Sequence, residues 1–380
     1  MKINNFSFSS NSQSIHIEKV FFDGLNLLVG ASGVGKTRIL RSLDQICDVA
    51  KGSSIDFEDV EWTINFSHFG KDYRWDLKAS SLNDETFLST HEHSEISYEK
   101  LIEFRGNHEI EILHRSGTGS KLNGTDLPKL KRTESAITLL AEEDSIEPIA
   151  EGFKRFIFNQ MPQRIVISTG LDPSNLSISL NNPNHHIDLQ KFKEASVNFP
   201  TVFKGYYLQK FFSQVFEEIK ETYINIFPSV KNIRVTVDRE SANEYNLLFE
   251  LEEDILGDWI SQQQISSGMY QTLTYLVDIF SAPDGSVIVI DEFENSLGIN
   301  CMPQLTDFIL DKLPDLQFIL TSHHPYIINN IPWKTWQLVS RTNGIIISRK
   351  AIDIPTLDTA SSLDKFTQLI NLLKYEDSTA

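Results

Sequence analysis

An α/β fold with a mixed central sheet is what this sequence predicts, and three observations carry the prediction. The apolar run Leu25-Asn26-Leu27-Leu28-Val29 leads into a glycine-rich loop, and Ile39, Leu40, Leu43 and Ile46 follow at helical spacing. A second run, Val287-Ile288-Val289-Ile290, does not alternate, as expected of a parallel strand covered on both faces. A third, Phe318-Ile319-Leu320, closes on Thr321-Ser322-His323-His324-Pro325. Apolar runs separated by helical patterns are the mark of a sheet wound with helices.

Each element follows in order. Short alternating or apolar segments at 14–22, 60–66, 73–77, 101–104 and 110–113 predict a strand-rich first half. The stretch 116–124 holds three glycines but lacks a Gly-Lys-Ser/Thr ending, so it reads as a hairpin turn. A helical pair is expected over 134–140 and 146–158, then a buried strand over 164–168. Residues 169–188 are rich in Asn, Ser and Pro and read as an exposed loop or lobe boundary. One long amphipathic helix is expected over 207–226, carrying Phe211, Phe212, Val215, Phe216, Ile219 and Tyr223, with strands at 230–237 and 247–251 after it. Ser266-Ser267-Gly268 makes a good helix start before Leu273, Leu276, Val277 and Phe280. The expected organisation is a lobe over 1–168, with the glycine-rich loop and a strand-rich and helical insertion, and a second over 169–380.

Composition sets limits. With 380 residues the chain can form one large or two ordinary domains, and 40% hydrophobic with 23% charged residues is ordinary for a globular protein. The net charge of −18 opposes broad contact with phosphate backbones, which confines any nucleic-acid contact to a local patch. Its densest basic cluster, Lys129, Lys131 and Arg132, reads as a solvated loop. Cys47 and Cys301 form neither a disulfide framework nor a zinc spacing. The opening residues 1–7 lack the apolar core of a signal peptide, and no stretch reaches the roughly 18 apolar residues of a membrane span. A cytoplasmic protein without membrane contact is expected.

The chemistry lies in two motifs. Gly30-Ala31-Ser32-Gly33-Val34-Gly35-Lys36-Thr37 matches GxxxxGK[ST] between a strand and a helix. Its glycines let backbone N–H groups aim at phosphate oxygens, at the positive end of the following helix. Lys36 supplies a mobile charge to the outer phosphates and the Thr37 hydroxyl a ligand for Mg²⁺. These eight residues with Arg38 are the candidate nucleotide-binding set, and ATP and Mg²⁺ the expected cofactors. Asp291-Glu292 ends the second apolar run, where two buried carboxylates would cost several kcal/mol without partners. A metal and a water provide them: Asp291 would hold Mg²⁺, directly or through water, and Glu292 would act as general base.

In order and spacing these motifs resemble the ABC-type ATPase heads of SMC, RecF and OLD proteins. Lys2-Ile3-Asn4-Asn5-Phe6, the entry Leu25 to Gly30, and Asp291-Glu292-Phe293-Glu294-Asn295-Ser296-Leu297 carry the resemblance. It implies a P-loop NTPase of ABC ATPase head type, with a strand-rich N-terminal lobe and a helical signature lobe. It also implies that Ser266, Ser267 and Gly268 form a signature peptide contacting the γ-phosphate held by an opposite subunit. Ser267 stands where transporter signatures carry a glycine, and Met269 where they carry Gln or Glu. By the same resemblance 294–297 is a D-loop and His323 a switch histidine, so Lys36, Glu292 and His323 form the implied catalytic set and Thr37 and Asp291 the metal set.

What the resemblance implies for assembly is a head-to-tail dimer, or a higher homo-oligomer, with ATP between copies. Compact ATPases of this kind resemble those of prokaryotic antiviral systems such as Gabija, Septu, PARIS and retrons, which work beside a nuclease or toxin. No acidic cluster of a TOPRIM nuclease follows His323, so the implied effector is a separate protein. Likeness to the antiviral ATPases also makes a phage-encoded trigger one of the implied partners, which the sequence does not name. A RecF- or SMC-like DNA-repair ATPase and an ATP-stabilised scaffold of little turnover are the alternatives. Phe6, Phe21 and Phe22 are equal candidates for stacking on adenine, and His91-Glu92-His93 and His185-His186, lacking a third ligand, read as exposed residues.

Overall fold

The computed structural model describes residues 1–55, 59–81, 94–159, 167–169, 188–241, 244–253, 259–298, 301–358, 365, 367–369 and 371–372. The chain opens with β1 (Lys2–Ser10), β2 (Ile15–Phe21), β3 (Leu25–Val29) and helix α1 (Lys36–Ala50). Then come β4 (Val60–His68), β5 (Lys71–Ser81), β6 (Ser94–Arg105), β7 (His108–Ser116), β8 (Gly119–Leu122), β9 (Thr125–Leu127), α2 (Ala136–Leu139), α3 (Glu147–Lys154) and β10 (Phe156–Asn159). The middle comprises β11 (Ile167–Thr169), α4 (Leu189–Ala195), α5 (Thr201–Phe211), α6 (Ser213–Ile226), β12 (Val230–Ser241), β13 (Glu244–Glu253), β14 (Trp259–Ser261) and α7 (Ser267–Phe280). Last are β15 (Val287–Ile290), α8 (Met302–Asp311), β16 (Gln317–Thr321), α9 (Pro325–Asn330), β17 (Trp336–Thr342) and β18 (Ile345–Lys350).

These elements form two compact units, neither continuous in sequence. One is Met1–Phe158 with Gly285–Phe293 and Leu313–Ala380; the other is Asn159–Asp284 with Glu294–Lys312. The expected division at 168/169 is a single cut, whereas the chain passes between the units repeatedly. Parallel strands need long crossover connections, and the one from β15 to β16 runs out into the second unit, as does the long excursion between β10 and β15.

The first unit is built on a 14-stranded sheet in the order β10-β15-β16-β3-β17-β18-β2-β1-β4-β5-β6-β7-β8-β9. Strands β15, β16, β3 and β17 run parallel, and the ladder from β2 through β1 to β9 is antiparallel. Every residue of β3, β15 and β16 is buried, which explains their unbroken apolar runs. Asn26, the polar exception in β3, donates its amide to the Asp23 and Phe318 carbonyls and accepts from the Gln337 side chain. Its hydrogen bonding capacity is thereby met inside the sheet.

The antiparallel part alternates as a half-covered sheet must: Val60, Trp62, Ile64 and Phe66 of β4 face the core. Trp62, Trp75, Phe66 and Phe153 meet edge to face with centroids 5.0 to 5.5 Å apart, which seats α3 on this face. The stretch 116–124 forms two tight hairpins, and Asn123 (φ 49°) and Gly124 (φ 80°) supply the left-handed pair that such a turn needs.

Two expected helices differ. The helix over 146–158 ends at Lys154, and Phe156–Asn159 joins the sheet as an edge strand, since its consecutive apolar residues suit a ladder better than a helical stripe. The single helix over 207–226 is two, α5 and α6, broken at Phe212 (φ −131°, ψ 53°). There the Phe212 ring packs on Phe192 with centroids 5.2 Å apart, a tertiary contact that outweighs helix continuation. Of the strand expected over 164–168, residues 164–166 lie outside the described residues, as do 170–187 of the expected loop.

The second unit holds the sheet β11-β13-β12, with β14 added to β13, and the helices α4 to α8. Gly205 lets α5 lie close on this sheet, because a Cβ there would sit 2.8 Å from the Phe249 ring. Helix α7 is buried at every residue from Tyr270 to Phe280. Its Asp278 accepts from Lys204, Thr201 and Asn159 at 3.0 to 3.1 Å, so the buried charge is paired and hydrogen-bonded. Among the described residues no helix is long and apolar enough to cross a membrane.

Candidate functional site

Register places three sequence motifs at one sheet edge. Thr321 of β16 lies opposite Leu28 of β3, and Leu320 lies opposite Ile290 of β15. The segments after β3, β15 and β16 therefore leave from the carboxyl ends of adjacent parallel strands, spaced about 4.8 Å apart. In open α/β sheets that edge is where ligands bind.

The glycine loop is held close to the sheet. Gly30 is buried, and a methyl group on it would overlap the carbonyl oxygen of Val339 in β17. Gly33 (φ 83°) and Gly35 (φ 114°) take left-handed backbone, and a Cβ on Gly33 would meet no atom within 4 Å, so the loop is open on that side. Gly35 caps α1 without a side-chain bond, which leaves the first N–H groups of the helix to solvent or to a ligand. Lys36 is 6% exposed and bends back so that Nζ donates to the Gly30 and Ala31 carbonyls, each at 2.9 Å. Thr37, Ala31 and Val34 are half-buried, whereas Ser32 and Arg38 are exposed. Because backbone blocks Gly30 on the β17 side, Gly30→Ala is expected to destabilise the chain by about 1–3 kcal/mol, read from the denaturant midpoint. An unchanged midpoint would mean that β17 yields freely.

The carboxylate pair follows β15. Asp291 is half-buried and Glu292 exposed, and the buried Phe293 turns the chain back into the core. The Thr321 hydroxyl donates to Asp291 Oδ1 at 2.6 Å and accepts from the Glu292 N–H at 2.7 Å. The Phe293 N–H donates to the Thr321 carbonyl at 3.0 Å. Glu292 has φ 50°, a left-handed conformation that costs a non-glycine residue on the order of 1–3 kcal/mol. The sequence alone points to a metal and a water as partners for the acids and does not single out Thr321. The available signal was a hydroxyl at the last position of a buried strand neighbouring the Asp-Glu strand.

Two adjacent histidines differ in their surroundings. His324 accepts the Tyr326 N–H on Nδ1 at 3.2 Å and so caps α9, while its own N–H donates to Ser322 Oγ. His323 is exposed at the carboxyl end of β16.

Within the second unit, Ser266 caps α7, its Oγ accepting from the Met269 N–H at 3.3 Å. Ser266 and Ser267 are exposed and Gly268 half-buried. A Cβ on Gly268 would lie 2.6 Å from the Ser296 carbonyl oxygen, so 294–297 runs directly against the start of α7. Ser296 takes φ 63° there.

Other candidates separate on exposure. Phe6 and Phe22 are buried and stacked on each other at 6.0 Å, which removes them as adenine platforms; Phe21 is 47% exposed. Arg132 pairs with Glu95 at 3.1 Å and Lys131 with Glu134, as a solvated loop would. The histidines 91, 93, 185 and 186 lie outside the described residues, and among the described residues no three His, Cys, Asp or Glu gather as a metal site.

A GxxxxGK[ST] loop between a parallel strand end and a helix, with an acidic pair at the end of a nearby strand, is the arrangement of a P-loop nucleotide-binding site. The chain belongs to the family described as "AAA domain, putative AbiEii toxin, Type IV TA system", which matches residues 25–329. No curated protein matches it in sequence. Among solved structures it is similar to an SMC head bound to the C-terminal winged-helix domain of ScpA, with 13% identity, 92% of this chain and 98% of that chain covered, and a TM-score of 0.46. It is similar to the Pyrococcus furiosus SMC head with an extended coiled coil bound to the C-terminal domain of ScpA, at 13% identity, 98% and 99% coverage and a TM-score of 0.47. The Thermotoga maritima SMC head domain is 12% identical, with 92% and 99% coverage and a TM-score of 0.44.

Proposed function

We propose that this chain binds and hydrolyses ATP with Mg²⁺, and that two copies close head to tail around the nucleotide. The observation that carries the reading is the convergence of loop, carboxylate pair and histidine at the ends of β3, β15 and β16. The residues present fit the ligands: Gly33 leaves the loop open, and the buried Lys36 ammonium now rests on two carbonyls that phosphate oxygens would replace. The N–H groups of 30–37 and Lys36 would hold the phosphates, with Arg38 beside them. Thr37 and Asp291 would hold Mg²⁺, which when bound offsets phosphate charge. Glu292 would take the proton of the attacking water, and His323 would sense the γ-phosphate. Ser266, Ser267 and Gly268 of one copy would complete the site of the other.

A cytoplasmic role in prokaryotic anti-phage defence, controlling a separate nuclease or toxin effector in response to a phage-encoded trigger, is the broader proposal. Its support is the matched family's description, which names a toxin of a type IV toxin–antitoxin system. The charge of −18 speaks against the DNA-repair alternative. Calorimetry with ATP and Mg²⁺, steady-state phosphate release and mass with and without ATP test the core of it. Saturable binding, turnover and an ATP-dependent doubling of mass are expected. Absence of binding overturns the proposal, binding without turnover favours the scaffold, and tight, salt-sensitive DNA binding favours the repair reading.

A further inference from the structure

We infer that Thr321 is a positioning residue, whose hydroxyl sets the metal-holding face of Asp291 and the backbone of the base Glu292 at the same time. The inference rests on the reading of those two acids given above. A threonine hydroxyl has one proton to give and lone pairs to accept with, and Thr321 uses both capacities on consecutive residues of the neighbouring strand end. The 2.6 Å bond to Asp291 Oδ1 is in the range of a charge-assisted O–H···O⁻ bond. It occupies one carboxylate oxygen and so orients the other, Oδ2, for a cation. The 2.7 Å bond from the Glu292 N–H, with that from Phe293 to the Thr321 carbonyl, holds the left-handed turn at Glu292 from both sides. The direction in which the Glu292 carboxylate leaves the backbone follows from that turn. Thr321 itself is 1% exposed at the end of β16, a strand buried throughout, so its own position is fixed by the sheet.

Because it would touch neither nucleotide nor water, its loss should appear in the chemical step more than in binding. The pair Thr321→Val and Thr321→Ser separates hydroxyl from shape: valine keeps the β-branched form and loses both bonds, and serine keeps both bonds. In the full chain, Thr321→Val is expected to lower kcat by roughly 10²-fold, the scale of a misplaced catalytic group. The ATP Kd should stay within about threefold, as expected when an interaction specific to the transition state is lost. The Mg²⁺ concentration for half activation should rise, and Thr321→Ser should keep most of the wild-type kcat and Mg²⁺ dependence. Should the valine variant not fold, Thr321→Ala replaces it with the same expectations. Valine turnover within twofold of wild type, or serine falling as far as valine, overturns the inference. A wild-type chain that neither binds nor hydrolyses ATP overturns the ATPase reading and this inference together, whereas an active wild type beside an undiminished valine variant overturns the inference alone.

Discussion

Glu292→Gln is expected to lower steady-state ATP hydrolysis by roughly 10²- to 10⁴-fold, the contribution typical of a positioned general base. Glutamine matches glutamate in size and can take the same left-handed backbone, so the turn held by Thr321 has no reason to move. What disappears is the capacity to accept a proton from water. Binding should survive, because the glycine loop and Lys36 belong to a different segment of the chain and glutamine preserves the size and hydrogen-bonding oxygen of the side chain it replaces. Under the proposed assembly a chain that binds and does not turn over should accumulate as the ATP-bound dimer, visible as a stable doubling of mass. Turnover at the wild-type rate would remove Glu292 from the role of base. Loss of binding together with turnover would instead mean that the exposed carboxylate supports the loop.

The elements that proved legible are those whose burial leaves a trace in composition. Strands β3, β15 and β16 are covered on both faces and so read as apolar runs, and the glycine loop announces itself by spacing. Register is another matter. That Leu320 pairs with Ile290, which brings Thr321 beside Asp291, is a property of two strands meeting after a crossover, and neither strand encodes it alone. The need for glycine at position 30 likewise depends on Val339, more than three hundred residues later. Phe212 breaks a helix that its own neighbours would continue, because Phe192 offers it a ring to pack against. His323 and His324 look alike in sequence, and only the start of α9 tells the capping residue from the exposed one.

Lys36→Ala carries the other large effect, and it falls on binding. The side chain is 6% exposed and its ammonium rests on the carbonyls of Gly30 and Ala31, partners that satisfy the charge while leaving it poised over the loop. A triphosphate offers the same ammonium full negative charge, and hydrogen bonds to charged groups are worth about 1.5–3 kcal/mol each. Losing two of them should weaken ATP binding by about 10²- to 10⁴-fold. The chain without nucleotide should lose about 1–3 kcal/mol of stability, because the Gly30 carbonyl that loses its donor is buried. At an ATP concentration about 100 times the wild-type Kd, wild type should gain about 2.7 kcal/mol of stability from mass action and Lys36→Ala almost none. Arginine should not rescue, since its planar fork differs in size and shape from the ammonium that fits this slot. If the alanine variant gains as much from ATP as wild type, the nucleotide lies somewhere other than the glycine loop. The carboxylates at the neighbouring strand ends would then have no phosphate to act on.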